Sequence, residues 1–157
     1  RDVDGLVALA KQSPRKRIRI CAHSNRNRYL HDMIIVHFQD TYVRPHKHTQ
    51  REESIHVIRG CFDLVLFDDY GNIESSTRMG EYPTGRNFFF RVRVGCYHTL
   101  VPRSETIVFH EATLGPFKKS ETVFADWSPE EGDDEKIFKY RACLGASIDQ
   151  YLDNPTI

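Results

Sequence analysis

Short apolar runs that alternate with turn-forming residues constrain the fold of this chain more than any other feature. The runs with strand character are Arg17–Ile20, Met33–Phe38, Ser54–Arg59, Phe62–Phe67, Asn87–Val94 and Thr106–Ala112. Turn residues lie between them, and the segment Asp68–Asn72 has the composition of a hairpin turn. Many short strands at close spacing predict an antiparallel β-sandwich or β-barrel.

The two ends of the chain depart from this strand pattern. Val3, Leu6, Val7 and Ala10 recur at helical spacing, with Asp2 or Asp4 as the N-cap and Pro14 as the stop. The segment 137–152 is compatible with a helix or a strand, and we favour the helix. We therefore predict one domain over residues 1–157, with an N-terminal helix at 1–14, a barrel at 17–117 and a C-terminal extension at 118–157.

The composition favours a small-molecule partner. The chain carries 22 basic and 22 acidic side chains, so its formal net charge is zero. This balance does not favour nucleic acid or an anionic membrane as a partner, and no apolar run is long enough to span a bilayer. The four cysteines are widely spaced without a C-x-x-C pair, so we expect free thiols and a cytoplasmic location.

The segment from Pro45 to Gly60 has the clearest chemical meaning. His46 and His48 are two residues apart, so a strand places both imidazoles on one face. A bend then returns the chain as a neighbouring strand and brings one glutamate back towards them. Much later, a turn at Gly95 is followed by a further imidazole, His98. Three imidazoles and one carboxylate can bind a divalent transition metal and leave positions open for water or substrate.

These residues resemble the two motifs of the cupin superfamily. The order His46-x-His48, then Glu53, then Gly60 is similar to the first motif and selects Glu53 over Glu52, and Gly95-x-x-His98 resembles the core of the second. The resemblance implies an all-β fold: a cupin-type small antiparallel β-barrel, also called a double-stranded β-helix or jelly roll, after the short N-terminal helix. It also implies a single divalent ion held by His46, His48, Glu53 and His98. Zinc, iron, nickel and manganese all suit this set, so the identity of the metal stays open.

A narrower resemblance extends over most of the chain. It is carried by the segments Ser13–Arg17, Cys21–His23, Thr41–His46, Leu66–Gly71, Gly115–Phe117 and Phe124–Glu131. These segments are similar to the WbuC family of cupin-fold metalloproteins, which is associated with bacterial gene clusters for surface polysaccharide. The resemblance implies a metal and a carbohydrate ligand, and a homodimer is expected because cupins often pair. It does not supply a reaction.

Two groups of residues are candidates for binding the substrate. Arg15, Arg17 and His23 belong to the WbuC-like segments, which the resemblance places near the barrel mouth. Arginine there can bind a carboxylate or a phosphate, and a surface salt bridge is the open alternative. Arg44 shares the even numbering of the metal-site histidines and is expected to line the same cavity.

Three residues are candidates for proton transfer. Tyr42 is expected to face the metal because it also has the strand parity of His46 and His48. On the last predicted strand, His110 and Glu111 are adjacent, so one of them faces inward and the other does not. The sequence leaves open which one it is.

Three hypotheses for the function follow. The first is a metal-dependent isomerase, epimerase or lyase that acts on a sugar or nucleotide-sugar in surface polysaccharide biosynthesis. The second is an iron(II)-dependent dioxygenase, because the same ligand set suits oxygen activation. The third is a non-catalytic module that binds a small ligand through the metal. The first is favoured by the family resemblance alone, so whether the chain is an enzyme stays open.

Overall fold

The computed structural model describes residues 2–153, which form two α-helices and ten strands. The helices are α1 (Val3–Gln12) and α2 (Asp134–Asp153). The strands are β1 (Arg17–Cys21), β2 (Leu30–Phe38), β3 (His46–His48), β4 (Glu53–Arg59), β5 (Cys61–Phe67), β6 (Ile73–Gly80), β7 (Phe89–Val92), β8 (Tyr97–Pro102), β9 (Thr106–Leu114) and β10 (Thr122–Phe124).

The strands form two five-stranded antiparallel sheets. The first sheet has the order β1-β2-β9-β4-β7, and the second has the order β10-β3-β8-β5-β6. Along one side, the N–H of Gly80 at the end of β6 donates to the carbonyl of Asn87, at 2.9 Å, just before β7. The chain crosses between the sheets in the short connections after β3 and β4, so residues close in sequence there face each other across the interior.

Apolar side chains from the facing sides of both sheets fill the interior. The first sheet contributes Met33, Ile35, Ile55, Val57, Val92, Ile107 and Phe109, and the second contributes Phe62, Leu64, Met79 and Leu100. Because neighbours along a strand point to opposite faces, this core fixes the inward parity of each strand. On β9 the inward positions are therefore odd-numbered, whereas Val108 packs under α1 on the outer face.

Helix α1 covers part of the outer face of the first sheet, as its apolar spacing predicts. Leu6 and Ala10 are buried there. Of the two capping candidates, the structure selects Asp2, whose side chain accepts from the N–H of Gly5 at 2.8 Å. The helix ends at Gln12, before Pro14, because proline cannot donate the next hydrogen bond.

Helix α2 covers the outer face of the second sheet and confirms the helix favoured for 137–152. Leu144 and Ile148 pack against Val65 and Phe67 of β5. Strand β5 is therefore buried on both faces, which explains its nearly continuous apolar sequence.

The C-terminal extension supplies β10, the edge strand beside β3. Thr122 lies opposite His48, and Phe124 lies opposite His46. The predicted boundary between the barrel and the extension, at residue 117, therefore divides β10 from the sheet to which it belongs. Arg1 and the last four residues of the extension, 154–157, lie outside the described residues. No helix within residues 2–153 is long and apolar enough to cross a membrane.

Candidate metal centre

Four side chains converge at one end of the interior. His46 and His48 point inward from β3, His98 lies directly opposite His46 on β8, and Glu53 enters from β4 of the facing sheet. Their nitrogen and carboxylate oxygen atoms all lie within 4.8 Å of one another, and three of the four side chains are fully buried. The structure thus brings together the four residues selected by the histidine and glutamate spacing.

The carboxylate of Glu53 lies between two of the imidazoles. Its Oε1 is 2.7 Å from Nε2 of His48, and its Oε2 is 3.2 Å from Nε2 of His98. The ring centroid of His46 is 4.5 Å from that of His98 and 5.0 Å from that of His48. The Nε2 atoms of His48 and His98 therefore face the carboxylate across a small shared space.

Main-chain carbonyls orient two of the imidazoles. Nδ1 of His46 is 2.9 Å from the carbonyl oxygen of Arg44, and Nδ1 of His98 is 3.1 Å from that of Cys96. A carbonyl only accepts, so each Nδ1 donates a proton to it, and in a neutral ring Nε2 then presents a lone pair. Nε2 of His98 and Oε2 of Glu53 face each other at 3.2 Å, an arrangement in which both atoms can bind one cation.

The third imidazole, His48, is oriented by side chains. Its Nδ1 lies 3.1 Å from Oγ1 of Thr122 and 3.3 Å from Nη2 of Arg51, which also donates to Thr122 at 3.2 Å. Because arginine only donates, Thr122 is the acceptor that can hold the proton on Nδ1. Within the described chain, Nε2 of His48 lies 2.7 Å from Oε1 of Glu53 without forming a hydrogen bond to it or to another residue. That orphaned atom also fits a metal ligand.

The protonation states of His46 and Glu53 match those that a divalent ion needs. Burial, helped by the neighbouring His98, lowers the pKa of His46 to about 3, so its ring is neutral at physiological pH. Burial by itself raises the pKa of Glu53, but the close His48 and His98 nitrogens outweigh it, and the pKa lies well below its ordinary value. A neutral imidazole and an ionised carboxylate bind metal without first losing protons. The group can therefore hold a divalent ion, with three nitrogen ligands and one oxygen ligand.

Glu111 is the inward-facing member of the pair on β9. It lies beside Ile55 of β4 and Met33 of β2, on the inner face that also carries Glu53. Burial, and then the negative charge of Glu53, raises the pKa of Glu111 to about 8. None of residues 2–153 forms a hydrogen bond or a salt bridge with its carboxyl group. A buried carboxyl that keeps its proton near neutral pH thus faces the metal group.

His110 points the other way, so its expected role in proton transfer at the metal is wrong. Its Nε2 lies 3.2 Å from Oδ1 of Asp32, and about a third of its side chain is exposed on the outer face of the first sheet. Strand alternation permits only one of two adjacent residues to face inward, and the core residues Phe109 and Ile107 assign that face to the odd positions.

Tyr42 and Arg44 contact the C-terminal extension instead of lining the metal group. The hydroxyl of Tyr42 donates to the carbonyl of Pro129 at 3.0 Å, and Arg44 donates to Ser128 and to the carbonyl of Ala125. The parity argument does not apply because β3 begins only at His46. Before it the backbone is irregular, and Val43 is the residue that packs into the core.

The remaining expected binding residues lie in salt bridges or on the surface. Arg15 and Arg17 are 3.8 Å and 3.2 Å from Glu131, so both pair with the acidic loop of the extension. His23 stacks on His31, with ring centroids 4.0 Å apart, and its Nδ1 is 3.2 Å from the carbonyl of Asp32. Arg15 and Arg17 therefore form salt bridges, the alternative to ligand binding that the sequence left open.

Sequence reasoning missed two residues that contact the metal group. Arg51 and Thr122 both reach Nδ1 of His48. Arg51 lies between His48 and Glu53 in the sequence, so its closeness to two predicted ligands could have identified it. Thr122 has no local signal, because its role depends on the pairing of β10 with β3.

Comparison with solved structures places this architecture among known folds. The X-ray structure of protein SO0799 from Shewanella oneidensis is similar with a TM-score of 0.62 at 10% identity, over 92% of this chain and 96% of that chain. KdgF from Halomonas sp. has a TM-score of 0.52 at 14% identity, over 69% and 87% of the two chains. A variant of oxalate decarboxylase from Bacillus subtilis has a TM-score of 0.54 at 15% identity, over 69% of this chain and 27% of that one. At such identities the likeness concerns the fold, and the expected cupin-type jelly roll is confirmed.

Comparisons of the sequence itself give one family. No curated protein matches the chain. Residues 1–79, which include β1 to β5, His46, His48 and Glu53, match the model of a family described as Domain of unknown function (DUF6016). The chain is therefore a member of the DUF6016 family.

Proposed function

We propose that this protein binds one divalent metal ion and acts on a sugar or nucleotide-sugar of surface polysaccharide synthesis by isomerase, epimerase or lyase chemistry. The observation that carries the proposal is the convergence of His46, His48, Glu53 and His98 beside a buried, unpartnered carboxyl group, Glu111. The choice of a sugar rests on the resemblance of the sequence to the WbuC family.

The residues of the chain divide the chemical work between binding and proton transfer. An ion held by the group supplies a Lewis acid that polarises a carbonyl or hydroxyl oxygen. The carbonyls of Arg44 and Cys96 keep two imidazoles in the ligating orientation. Glu111 holds or accepts a proton at its carboxyl oxygen, and a pKa of about 8 places it near working pH, where general acid–base catalysis is most effective.

Metal content tests the binding part of the proposal. Elemental analysis of protein purified without added metal is expected to find a single transition-metal ion per chain, because the four converging side chains supply enough ligands to hold one. His48→Ala and His98→Ala are each expected to lose it. His110→Ala is the matched control, because this histidine lies on the outer face. Metal retained in both ligand variants would contradict the assignment.

Solvent exchange tests the chemical part. The metal-loaded protein is expected to incorporate deuterium from heavy water into a nucleotide-sugar such as UDP-glucose. Glu111→Gln is expected to slow this exchange about 10²–10⁴-fold with metal content unchanged, the usual contribution of a general base. Glu52→Gln is the control, because that side chain is exposed and pairs with Arg91. Bound metal without any exchange in the unmodified protein would refute the isomerase chemistry.

A further inference from the structure

Arg51 is a buried cation at the edge of the metal group. It lies in the connection from β3 to β4, and only 4% of its side chain is exposed. Its guanidinium carbon is 5.0 Å from the ring centroid of Phe117, which covers it. A charge held away from water in this way is costly unless its donors are satisfied.

The donors of Arg51 are only partly satisfied. Nη2 donates to Oγ1 of Thr122 at 3.2 Å and lies 3.3 Å from Nδ1 of His48. Nε and Nη1 are buried and have no hydrogen-bond partner within residues 2–153. The nearest carboxylate, Oε2 of Glu121, is 3.6 Å from Nη1, and the other oxygen of Glu121 is 3.2 Å from Lys118. Glu121 is therefore shared between two cations and does not neutralise Arg51 fully.

The surrounding charges favour an additional negative group. The positive charge of Arg51 acts on Glu111 across the interior, and so does that of Arg19 on β1. Glu111 keeps its proton near neutral pH, so it does not balance either arginine. With a divalent ion in the group, Glu53 is the one ionised carboxylate among the four converging side chains. The site as a whole then carries an excess of positive charge.

We propose that Arg51 is an anion-binding residue of this site, whose free Nε–H and Nη1–H groups bind the carboxylate or phosphate of a metal-site ligand. Guanidinium groups are well suited to both oxyanions. The low dielectric beneath Phe117 strengthens the interaction. The inference rests on the proposed function and narrows its ligand from sugars in general to sugars that carry an oxyanion.

Calorimetric titration of the metal-loaded protein tests this inference with three ligands of similar size. The probes are glucose, glucuronate, which carries a carboxylate, and glucose 6-phosphate. At least one charged sugar is expected to bind about 10–100-fold more tightly than glucose, the usual gain from hydrogen bonds to a charged group. The arm that shows the gain identifies the oxyanion as a carboxylate or a phosphate.

Variants of Arg51 assign the gain to this residue. Arg51→Gln is expected to bring the charged sugar to the affinity of glucose, and Arg51→Lys to retain part of the gain. Arg91→Gln, an exposed arginine of β7, is the control and is expected to bind like the unmodified protein. Circular dichroism verifies the fold of each variant, and the conservative lysine variant keeps the test valid if the glutamine variant does not fold.

Two results overturn the inference. One is equal binding of glucose and both charged sugars by the unmodified protein, and the other is an unchanged preference in folded Arg51→Gln. Elemental analysis of the same samples separates this failure from a failure of the proposed function. Absence of metal from the unmodified protein refutes the metal site, whereas bound metal without an Arg51-dependent preference refutes the anion assignment alone.

Discussion

Two buried carboxyl groups, Asp63 and Glu111, lie in opposite chemical situations. Asp63, on the outer face of β5 under α2, is fully buried and accepts hydrogen bonds from Arg78 at 2.8 Å and 3.1 Å and another from Arg103. Both arginines also form salt bridges with Asp149 of α2. Glu111, on the inner face of β9, faces the metal group and has no such partner among residues 2–153.

Asp63 belongs to an ionic cluster that stabilises the fold, whereas Glu111 lies beside a group suited to chemistry. Asp63 accepts hydrogen bonds from two arginines, and these bonds raise the pKa of Arg78, so Asp63 helps to hold α2 on the sheet. Glu111 keeps a proton because burial is not offset by a donor. Unsatisfied buried polar groups are rare in folded proteins and need a specific explanation. Among the described residues, Arg51 and His48 carry such atoms beside the metal group.

The largest effect is expected from removing the saturated carboxylate. Asp63→Asn is expected to lower the free energy of unfolding by about 1.5–3 kcal/mol, because it removes the buried carboxylate that binds two arginines, although both keep Asp149. Urea denaturation measures this loss, and the metal content should not change. Asp69→Asn, which removes an exposed partner of Lys47, is the control and should cost less than about 1 kcal/mol. Equal losses of unfolding free energy in the two variants would show that the buried carboxylate contributes no more to stability than the exposed one.

Glu111 is expected to give the opposite result, a stability that falls as pH rises. Its pKa in the folded protein, about 8, lies above its ordinary value. The folded state therefore binds one more proton than the unfolded state between these two values. Stability is full at low pH and falls by up to about 1.4 kcal/mol per pH unit as pH rises towards 8.

Glu111→Gln tests this expectation because glutamine does not titrate. Urea denaturation of metal-free protein at several pH values between 5 and 8 should show a slope that is more negative in the unmodified protein than in the variant. Chelator treatment is needed because a bound cation offsets the charge of Glu53, which is one of the causes of the raised pKa. Parallel slopes in the two proteins would show that the pKa of Glu111 is not raised in the folded state.

A smaller effect is expected from changing Thr122, which orients the imidazole of His48. Among residues 2–153, Thr122→Val removes the acceptor beside Nδ1 of His48 and leaves the donor Arg51. The tautomer that presents Nε2 to a metal is then disfavoured, so metal affinity should fall about 10–100-fold. Competition with a chelator of known affinity measures it. Thr122→Ser keeps the hydroxyl and should retain the affinity, and equal affinity in the valine variant would contradict the assigned tautomer.

The smallest effect is expected on the outer face. His110→Ala removes a partly exposed contact with Asp32, so the free energy of unfolding should change by less than about 1 kcal/mol. Metal content and the pH slope assigned to Glu111 should both stay the same. Thermal unfolding and elemental analysis measure these quantities, and a loss of metal would show that the two adjacent residues of β9 do not divide between the faces as described.

Local patterns predicted the strand-rich fold, and the resemblance to the two cupin motifs added Glu53 and His98 to the metal group. The alternation of His46 and His48 places both side chains on one face once the strand forms. The same reasoning failed for Tyr42 and Arg44, because the strand that carries the histidines begins only at His46. Parity extends no further than the strand itself.

Other features needed knowledge of strand pairing and of the core. The choice between His110 and Glu111 is settled by the buried neighbours Ile107 and Phe109, which the sequence alone does not assign to a face. Thr122 reaches His48 only because β10 pairs with β3. Asp63 is an acidic residue within an apolar strand, and the arginines that bind it come from distant positions of the chain.

The position of β10 also affects when the centre is completed during synthesis. Protein chains emerge with their amino-terminal part first, so His46, His48, Glu53 and His98 all leave the ribosome before Thr122. Until then, β3 has an unpaired edge and Nδ1 of His48 lacks its acceptor. A nascent chain therefore carries all four side chains of the metal group before the acceptor that orients His48, and the group reaches its final geometry only once β10 pairs with β3.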